Sequence, residues 1–463
     1  MKKPLITALR EKVRGPVLQD GDAGYDEARV IWNGMVDRKP RVIVRCTGVA
    51  DVIDAVNFAR DNQLVIAVRG GGHNVSGNAV CDDGMMIDLS LMRAVRVDPN
   101  ARTAWVQGGA NLGDLDRETQ LFGLVAPAGV VSDTGVAGLT LGGGTGWVSG
   151  KYGLTVDNLL SVDIVTAEGK YIKASTTENP DLFWGLKGGG GNFGIAASFE
   201  FRLQQLGPVV MRCAAMYAEE DAQNILSGWR ELLPSLPDEV TTLAILWRIP
   251  PVSLFPEKLH NKTVVNIFAI CSGSIEAGEV LVRPLRELGE PLLDLSGPVP
   301  FVDVQQQFDS YFTPQGALLY YWKSIELYNM DDEVIRAILD GAKNRAEQTL
   351  IVIQAMRGAY SRVAADATAY GDRSAPFLLE LNSTWADAKD SEQQVAWTRN
   401  FWADMQRFSS GKIYLNHPGF GEEGEDLVKA AYGDNYKRLV ALKDKYDPNN
   451  LFHMNQNIKP TAQ

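Results

Sequence analysis

Histidine is scarce in this chain of 463 residues: the four are His73, His260, His417 and His453. One of them stands in Arg69-Gly70-Gly71-Gly72-His73-Asn74-Val75-Ser76-Gly77, a loop of nearly bare backbone that follows an apolar run. Glycine admits positive φ and lets a ligand approach the main chain, so backbone N–H groups can be aimed at an anion such as a diphosphate. A ring nitrogen held there could ligate, shuttle a proton or carry a covalently attached group. A tight turn whose histidine only fills space satisfies the same residues. A second histidine, His417, follows Tyr414-Leu415-Asn416. With an ordinary pKa near ~6.5 it could accept a proton at neutral pH, and it could equally line a pocket without taking part in chemistry.

The elements that must position these residues fall into two textures. From about residue 40 to 205, short strand-like runs alternate with glycine-rich turns: 41–45, 64–69, 85–89, 94–97, 103–107, 159–167 and 197–203. Val52, Ile53, Val56 and Ala59 recur at helical spacing behind a possible cap at Thr47, which predicts an amphipathic helix packed on those strands. Beyond Pro208 the apolar strands lengthen, at 242–247, 263–271, 318–327, 350–356 and 377–384, and helical stretches at 275–288, 333–345 and 392–408 separate them. This pattern predicts an antiparallel sheet with helices on one face. A helix ending near Tyr446 and the stop-and-turn sequence Asp447-Pro448-Asn449-Asn450 mark the tail. The fold class expected is α+β.

Composition narrows the function. The length suits two or three domains, and 57 acidic against 45 basic side chains give a net charge of −12. That balance argues against a nucleic-acid or anionic-membrane surface. The amino terminus lacks a secretory signal pattern and no segment has the apolar length of a membrane span, so a cytoplasmic location is the default expectation. Cys46, Cys81, Cys213 and Cys271 form no Cys-x-x-Cys pair, and neither a metal site nor a disulfide framework is expected.

Further glycine clusters indicate the kind of ligand. They are Gly108-Gly109, Gly142-Gly143-Gly144-Thr145-Gly146 and Gly188-Gly189-Gly190-Gly191-Asn192-Phe193-Gly194. Gly189, Gly191 and Gly194 satisfy the dinucleotide fingerprint G-x-G-x-x-G, but that motif must follow a strand and open a helix. Here a helix-like segment precedes it and a strand follows, so a Rossmann site is excluded, and no G-x-x-x-x-G-K-[ST] occurs. Several glycine loops on separate strands remain, a way to wrap one long cofactor without a single helix terminus.

These residues together resemble the FAD-linked oxidases of the vanillyl-alcohol oxidase and p-cresol methylhydroxylase superfamily, in particular its berberine-bridge-enzyme-like and 6-hydroxy-D-nicotine oxidase group. The loop Arg69 to Gly77 looks like that family's flavinylation motif. The likeness continues in order through 138–147, 151–158, 179–184, 188–194 and the tail from Tyr436 to Ile458. It implies a two-part FAD-binding domain, residues 1–207 and 414–463, around an inserted antiparallel-sheet substrate domain, 208–413, flanked by helices.

By the resemblance, His73 carries the flavin covalently. Cofactor contacts are expected from Arg69, Gly70, Gly71, Gly72, Asn74 and Gly77, from Gly135, Val136, Gly138, Leu139, Gly142, Gly143 and Gly146, from Tyr152 and Gly153, from Asn192, Gly194 and Ile195, and from Asn457. Catalytic candidates are His417, Tyr414, Lys323 and Gln354. Trp322, Tyr370 and Trp385 lie in stretches that border the flavin ring or substrate in relatives, although aromatic side chains on strands usually pack. Lys323, between large apolar residues, must face solvent or be paired, and near a flavin it could stabilise negative charge.

The sequence departs from the family at two points. Where many members attach the flavin a second time through a cysteine, this chain has Val131 and Ser132, so one covalent link through His73 and no cysteinyl link is expected. Where relatives often carry a tyrosine after Tyr-x-Asn, this chain has His417. Thr134 falls where relatives place a residue tied to oxygen access. The resemblance thus implies oxidation of a small organic substrate, an alcohol or a sugar, by hydride transfer to FAD, with oxygen or another acceptor taking the electrons. Amine or alkaloid oxidation and flavin binding without turnover are the alternatives, and a monomer or homodimer is expected.

Overall fold

The computed structural model describes residues 3–312, 316–409, 411–419, 421–422 and 424–461. Its first 207 residues build two small sheets and a two-stranded antiparallel pair, Leu124–Val125 with Gln204–Gln205. In one, Val17–Leu18, Val42–Arg45, Met85–Asp88 and Ile66–Arg69 lie side by side, and the last three pair in parallel. The helix Val49–Asp61 covers them with Val52, Ala55, Val56 and Ala59, all fully buried. Its start differs from expectation. Thr47 Oγ1 donates to the Asp51 carboxylate at 2.9 Å instead of capping the backbone, and Gly48 is the cap residue.

The second sheet is antiparallel throughout: Val95–Asp98, Thr103–Gln107, Ile195–Arg202, Leu159–Val165 and Tyr171–Ser175. The helix Pro180–Leu186 precedes the glycine run 188–194 and the strand Ile195–Arg202 follows it, which is the order that excluded a Rossmann turn.

The tail belongs to this part of the core. Val428, Tyr432, Leu439, Leu442 and Ile458 pack with Leu182, Phe193, Phe199 and Phe201. Lys443 is fully buried and donates to Asp447 Oδ2 at 2.7 Å, to the Asn192 carbonyl at 2.8 Å and to the Phe452 carbonyl at 2.9 Å. A buried ammonium is tolerated only when its protons are all taken up, and here they tie the tail to the second glycine run.

Residues 209–385 form the large sheet, in the order Leu293–Asp294, Val209–Ala218, Thr263–Cys271, Val240–Arg248, Leu350–Ala355, Phe377–Trp385 and Leu319–Leu327, with Gly297–Pro300 also on Val209–Ala218. Every pairing in it is antiparallel. Side chains alternate between its faces. Cys213, Tyr217, Ile325, Ile353 and Leu379 point to the helices Ala222–Leu232, Ile275–Arg286, Asp332–Gly341 and Ser391–Met405. Leu243, Ile245, Phe268, Trp322 and Val352 point the other way, onto Trp32, Val75, Val131 and Trp147 of the first part.

The strand Val209–Ala218 was not anticipated from sequence. Its alanines have low strand propensity, and pairing with neighbours on both sides overrides them. No helix among the described residues is long and apolar enough to cross a membrane.

Candidate functional site

A cavity of about 330 Å³ lies between the glycine loops and the inner face of the large sheet. Its floor is backbone. Gly70, Gly71 and Gly72, then Gly135, Gly138 and Gly142, then Gly188, Gly190, Gly191 and Gly194 all line it. Gly71 and Gly135 are pressed together: a Cβ on Gly71 would stand 2.5 Å from the Gly135 main chain. Gly138 and Gly191 are the opposite case, since a Cβ on either would meet nothing within 4 Å. A side chain there would project into open space beside the floor and occupy what a ligand needs.

His73 stands in the wall. Its ring stacks on Trp32 with centroids 4.1 Å apart and planes 18° from parallel, and Trp32 stacks in turn on Tyr320 at 3.7 Å. Nε2 of His73 is buried without a hydrogen-bond partner among the described residues. Desolvation lowers the imidazole to a pKa of about 4, so the ring is neutral at physiological pH.

The roof is polar at one place. Gln354 Nε2 donates to Glu380 Oε1 at 2.6 Å, Asn382 Nδ2 donates to Glu380 Oε2 at 3.4 Å, and His417 Nδ1 lies 3.6 Å from Glu380 Oε1. All four residues line the cavity. Burial pushes Glu380 up to about 7, against the pull of its amide donors. Burial also pushes His417 down to about 3, helped by the field of His73. An acid that resists ionising next to an imidazole that resists protonation makes a couple in which one proton can be traded.

Tyr414 braces this corner. Its hydroxyl accepts from Gly144 N at 3.1 Å and from Asn416 Nδ2 at 2.8 Å, and burial raises it to about 12. Asn416 also donates to the Leu139 carbonyl at 3.1 Å and packs where a Cβ on Gly142 would be.

Most of the residues expected at the site meet here: Gly70, Gly71, Gly72, His73, Asn74, Gly135, Gly138, Leu139, Gly142, Asn192, Gly194, Ile195, Gln354, Tyr414 and His417. Others lie outside the lining. Arg69 is buried and donates from Nη1 to the Ala28 carbonyl at 2.8 Å. The Gly77 carbonyl accepts from Arg38 at 3.0 Å, Val136 is in the core, and Gly146 abuts the Ala128 carbonyl. Gly143 and Gly153 hold positive φ, 114° and 76°, in the turns behind the floor. The Tyr152 hydroxyl donates to the Gln205 carbonyl at 3.2 Å.

Lys323 faces the helical side of the sheet. It pairs with Glu422 and its ammonium sits 3.9 Å from the centre of the Trp402 ring, so of the two options open to a strand lysine it takes the paired one, away from the cavity. Asn457 lies beside the wall instead of in it; its neighbours Gln456 and Ile458 bond Asn192, at 3.1 Å and 2.9 Å.

Glu380 and Asn382 escaped the sequence reading. The available signal was a lone carboxylate within Phe377-Leu-Leu-Glu-Leu-Asn-Ser-Thr-Trp385, a strand buried at every position.

A glycine-floored groove, built by an N-terminal part with the chain's own tail and roofed by an antiparallel sheet, defines a class of two-part flavin-dependent oxidoreductases. The FAD binding domain family matches residues 40–175, and the berberine and berberine like family matches residues 413–459. Along its length the chain is 30% identical to (R)-6-hydroxynicotine oxidase of Paenarthrobacter nicotinovorans, covering 99% of both chains. It is also 30% identical to an FAD-linked oxidoreductase of Dictyostelium discoideum, over 98% of this chain and 97% of that one. The crystal structure of 6-hydroxy-D-nicotine oxidase from Arthrobacter nicotinovorans matches with a TM-score of 0.86 at 28% identity over 99% of each chain. A chitooligosaccharide oxidase shares the fold, with a TM-score of 0.86 at 22% identity over 99% of this chain and 100% of that one. The chain belongs to the berberine-bridge-enzyme-like group of FAD-linked oxidoreductases.

Proposed function

We propose that this protein oxidises a small organic alcohol or sugar, using FAD held covalently through His73 and a proton acceptor made of His417 and Glu380. One observation carries the reading. A single cavity contains both a neutral imidazole whose Nε2 has no partner among the described residues and, in its roof, a carboxyl and imidazole poised to trade a proton.

The residues present suit FAD. Its diphosphate needs donors that come close, and the described lining residues include no lysine or arginine, so bared glycine backbone along 70–72, 135–142 and 188–194 is the donor set in reach. Open space over Gly138 and Gly191 leaves room for it. We assign cofactor holding to residues 1–207 with 414–463 and substrate binding to 208–413. A single link is the reading we favour. Val131 lines the cavity, Ser132 is tied through its N–H to Asp309 at 2.9 Å, and none of the four cysteines lines the cavity.

Bound FAD would supply a two-electron acceptor able to take a hydride from a substrate C–H bond. The chain's own residues do the rest. His417 accepts the substrate hydroxyl proton, and Glu380 at 3.6 Å stabilises the imidazolium so formed. Gln354 holds Glu380 in place through its 2.6 Å bond, and Tyr414 and Asn416 fix the turn that presents His417. The electrons leave to oxygen or another acceptor.

Anaerobic mixing with a panel of alcohols, sugars and cyclic amines, following loss of the flavin's visible absorption, tests the reading. Bleaching by an alcohol or sugar supports it, and a flavin that no member reduces contradicts it. Amine oxidation is the second reading, favoured by histidine in place of tyrosine at 417 and by the 30% identity to a nicotine oxidase. Bleaching by amines alone would establish it.

A further inference from the structure

Trp322 Nε1 and Asn382 Oδ1 in the roof have no hydrogen-bond partner among the described residues. Trp322 and Asn382 stand directly opposite one another across the paired strands Leu319–Leu327 and Phe377–Trp385, and both line the cavity. They are 6% and 5% exposed. Trp322 Nε1 can only donate and Asn382 Oδ1 can only accept, and neither makes a hydrogen bond among the described residues. The Asn382 amide nitrogen is already committed to Glu380, which leaves the oxygen as its free end. Buried polar atoms are nearly always satisfied, and an orphaned donor and an orphaned acceptor on directly opposed residues of a cavity wall mark a place where a ligand completes both bonds.

The pair adjoins the reacting corner. Trp322 meets the His417 ring edge-on, with centroids 5.4 Å apart and planes at 83°, and Asn382 is bonded to Glu380. Side chains directly opposed across antiparallel strands have Cβ atoms ~4.5–5.5 Å apart, which sets the two side chains side by side on the cavity wall. A hydroxyl accepts from one neighbour and donates to another. An ether accepts only. An ammonium donates only and would set donor against donor at Trp322. A carboxylate would lie near Glu380 with no lysine or arginine among the described lining residues to balance it.

We propose that Trp322 and Asn382 are the specificity-determining pair, binding a second hydroxyl of the substrate next to the one whose proton goes to His417, and that the substrate class is therefore an uncharged diol or polyol. This assignment rests on the oxidase reading above. Trp322 donates to the second hydroxyl's oxygen, and that hydroxyl donates to Asn382.

The test uses the flavin-containing enzyme and four probes that share one ring alcohol: trans-cyclohexane-1,2-diol, trans-2-methoxycyclohexanol, trans-2-aminocyclohexanol and trans-2-hydroxycyclohexanecarboxylate. Perturbation of the flavin absorption band gives each dissociation constant. The diol is expected to bind at least about tenfold more tightly than the ether, the amine or the carboxylate. In Asn382→Leu the ether should bind as before while the diol's advantage over it falls below about threefold; in Trp322→Phe diol and ether should weaken together with their ratio kept.

A diol-to-ether ratio unchanged in Asn382→Leu overturns the pair, as does tightest binding by the amine or the carboxylate, or no binding by any probe to a flavin-containing protein. Should Asn382→Leu not fold, the parallel weakening in Trp322→Phe decides. A purified protein without flavin would instead defeat the oxidase reading itself, so the two failures are distinguishable.

Discussion

The floor and the roof of the cavity work by opposite means. The floor is glycine backbone, where what matters is that side chains are missing, as at Gly138 and Gly191, or could not fit, as between Gly71 and Gly135. The roof is a set of side chains on rigid strands, where Gln354, Glu380 and Asn382 bond one another and His417 comes in from the tail. A floor of this kind can hold any ligand that bears the same backbone-binding groups, whereas the roof is set by individual side chains. On the proposed function, holding the cofactor falls to the floor and the reaction to the roof, and substitutions should separate them.

Glu380→Gln is the sharpest way to break that separation. It keeps the shape and removes the charge, so turnover measured as kcat/KM should fall by ~10²–10⁴ while flavin content stays at the level of the unaltered protein. In the unaltered protein kcat/KM should rise with pH through about 7, because the couple accepts a proton only when Glu380 is ionised. A flat profile between pH 6 and 8 would remove Glu380 from the chemistry.

Gly71→Ala strikes the floor instead. Its Cβ would be forced against the Gly135 backbone, so flavin content should drop and stability should fall by ~1–3 kcal/mol in denaturant titration. The flavin that remains should turn over at the normal rate.

Asp116 probes the seam between the two regions. It is fully buried and accepts from Gln305 Nε2 at 2.9 Å, and the same amide also donates to the Gly129 carbonyl at 3.1 Å, in a loop that lines the cavity. Burial, with a contribution from Asp309, pushes its carboxyl up to about 7. In the unfolded chain this group ionises near ~3.9, so the fold loses stability as pH rises from about 4 to about 7 and the loss then levels off. Asp116→Asn should therefore stabilise the fold at pH 8 by at most a few kcal/mol, at ~1.4 kcal/mol per pKa unit, seen as a higher melting temperature, and leave it unchanged at pH 4.

The smallest effect is expected of Tyr152→Phe. Its hydroxyl donates to the Gln205 carbonyl, outside the cavity, and both turnover and stability should stay within ~0.5 kcal/mol of the original.

The two regions also differ in how much of them the residues announce. Glycine runs are visible in sequence because backbone that must turn or touch a ligand excludes side chains, and 188–194 could even be told from a Rossmann turn by what precedes and follows it. The long strands Thr263–Cys271 and Leu319–Leu327 were legible from apolar runs. The roof's polar corner was not. Glu380 is one carboxylate in a buried strand, and its importance comes from register, which places Gln354 and Asn382 on its face and brings His417 from thirty-odd residues along the chain. Lys323 shows the same limit from the other side: alternation along its strand turns it to the helices and to Glu422, a partner about a hundred residues away.

The central claim is that His73 joins floor to cofactor. Denaturing the purified protein in acid and separating polypeptide from small molecules tests it most directly. Yellow colour and flavin fluorescence should stay with the unaltered chain and be lost from His73→Ala. Flavin that washes entirely from the unaltered chain would contradict the covalent assignment.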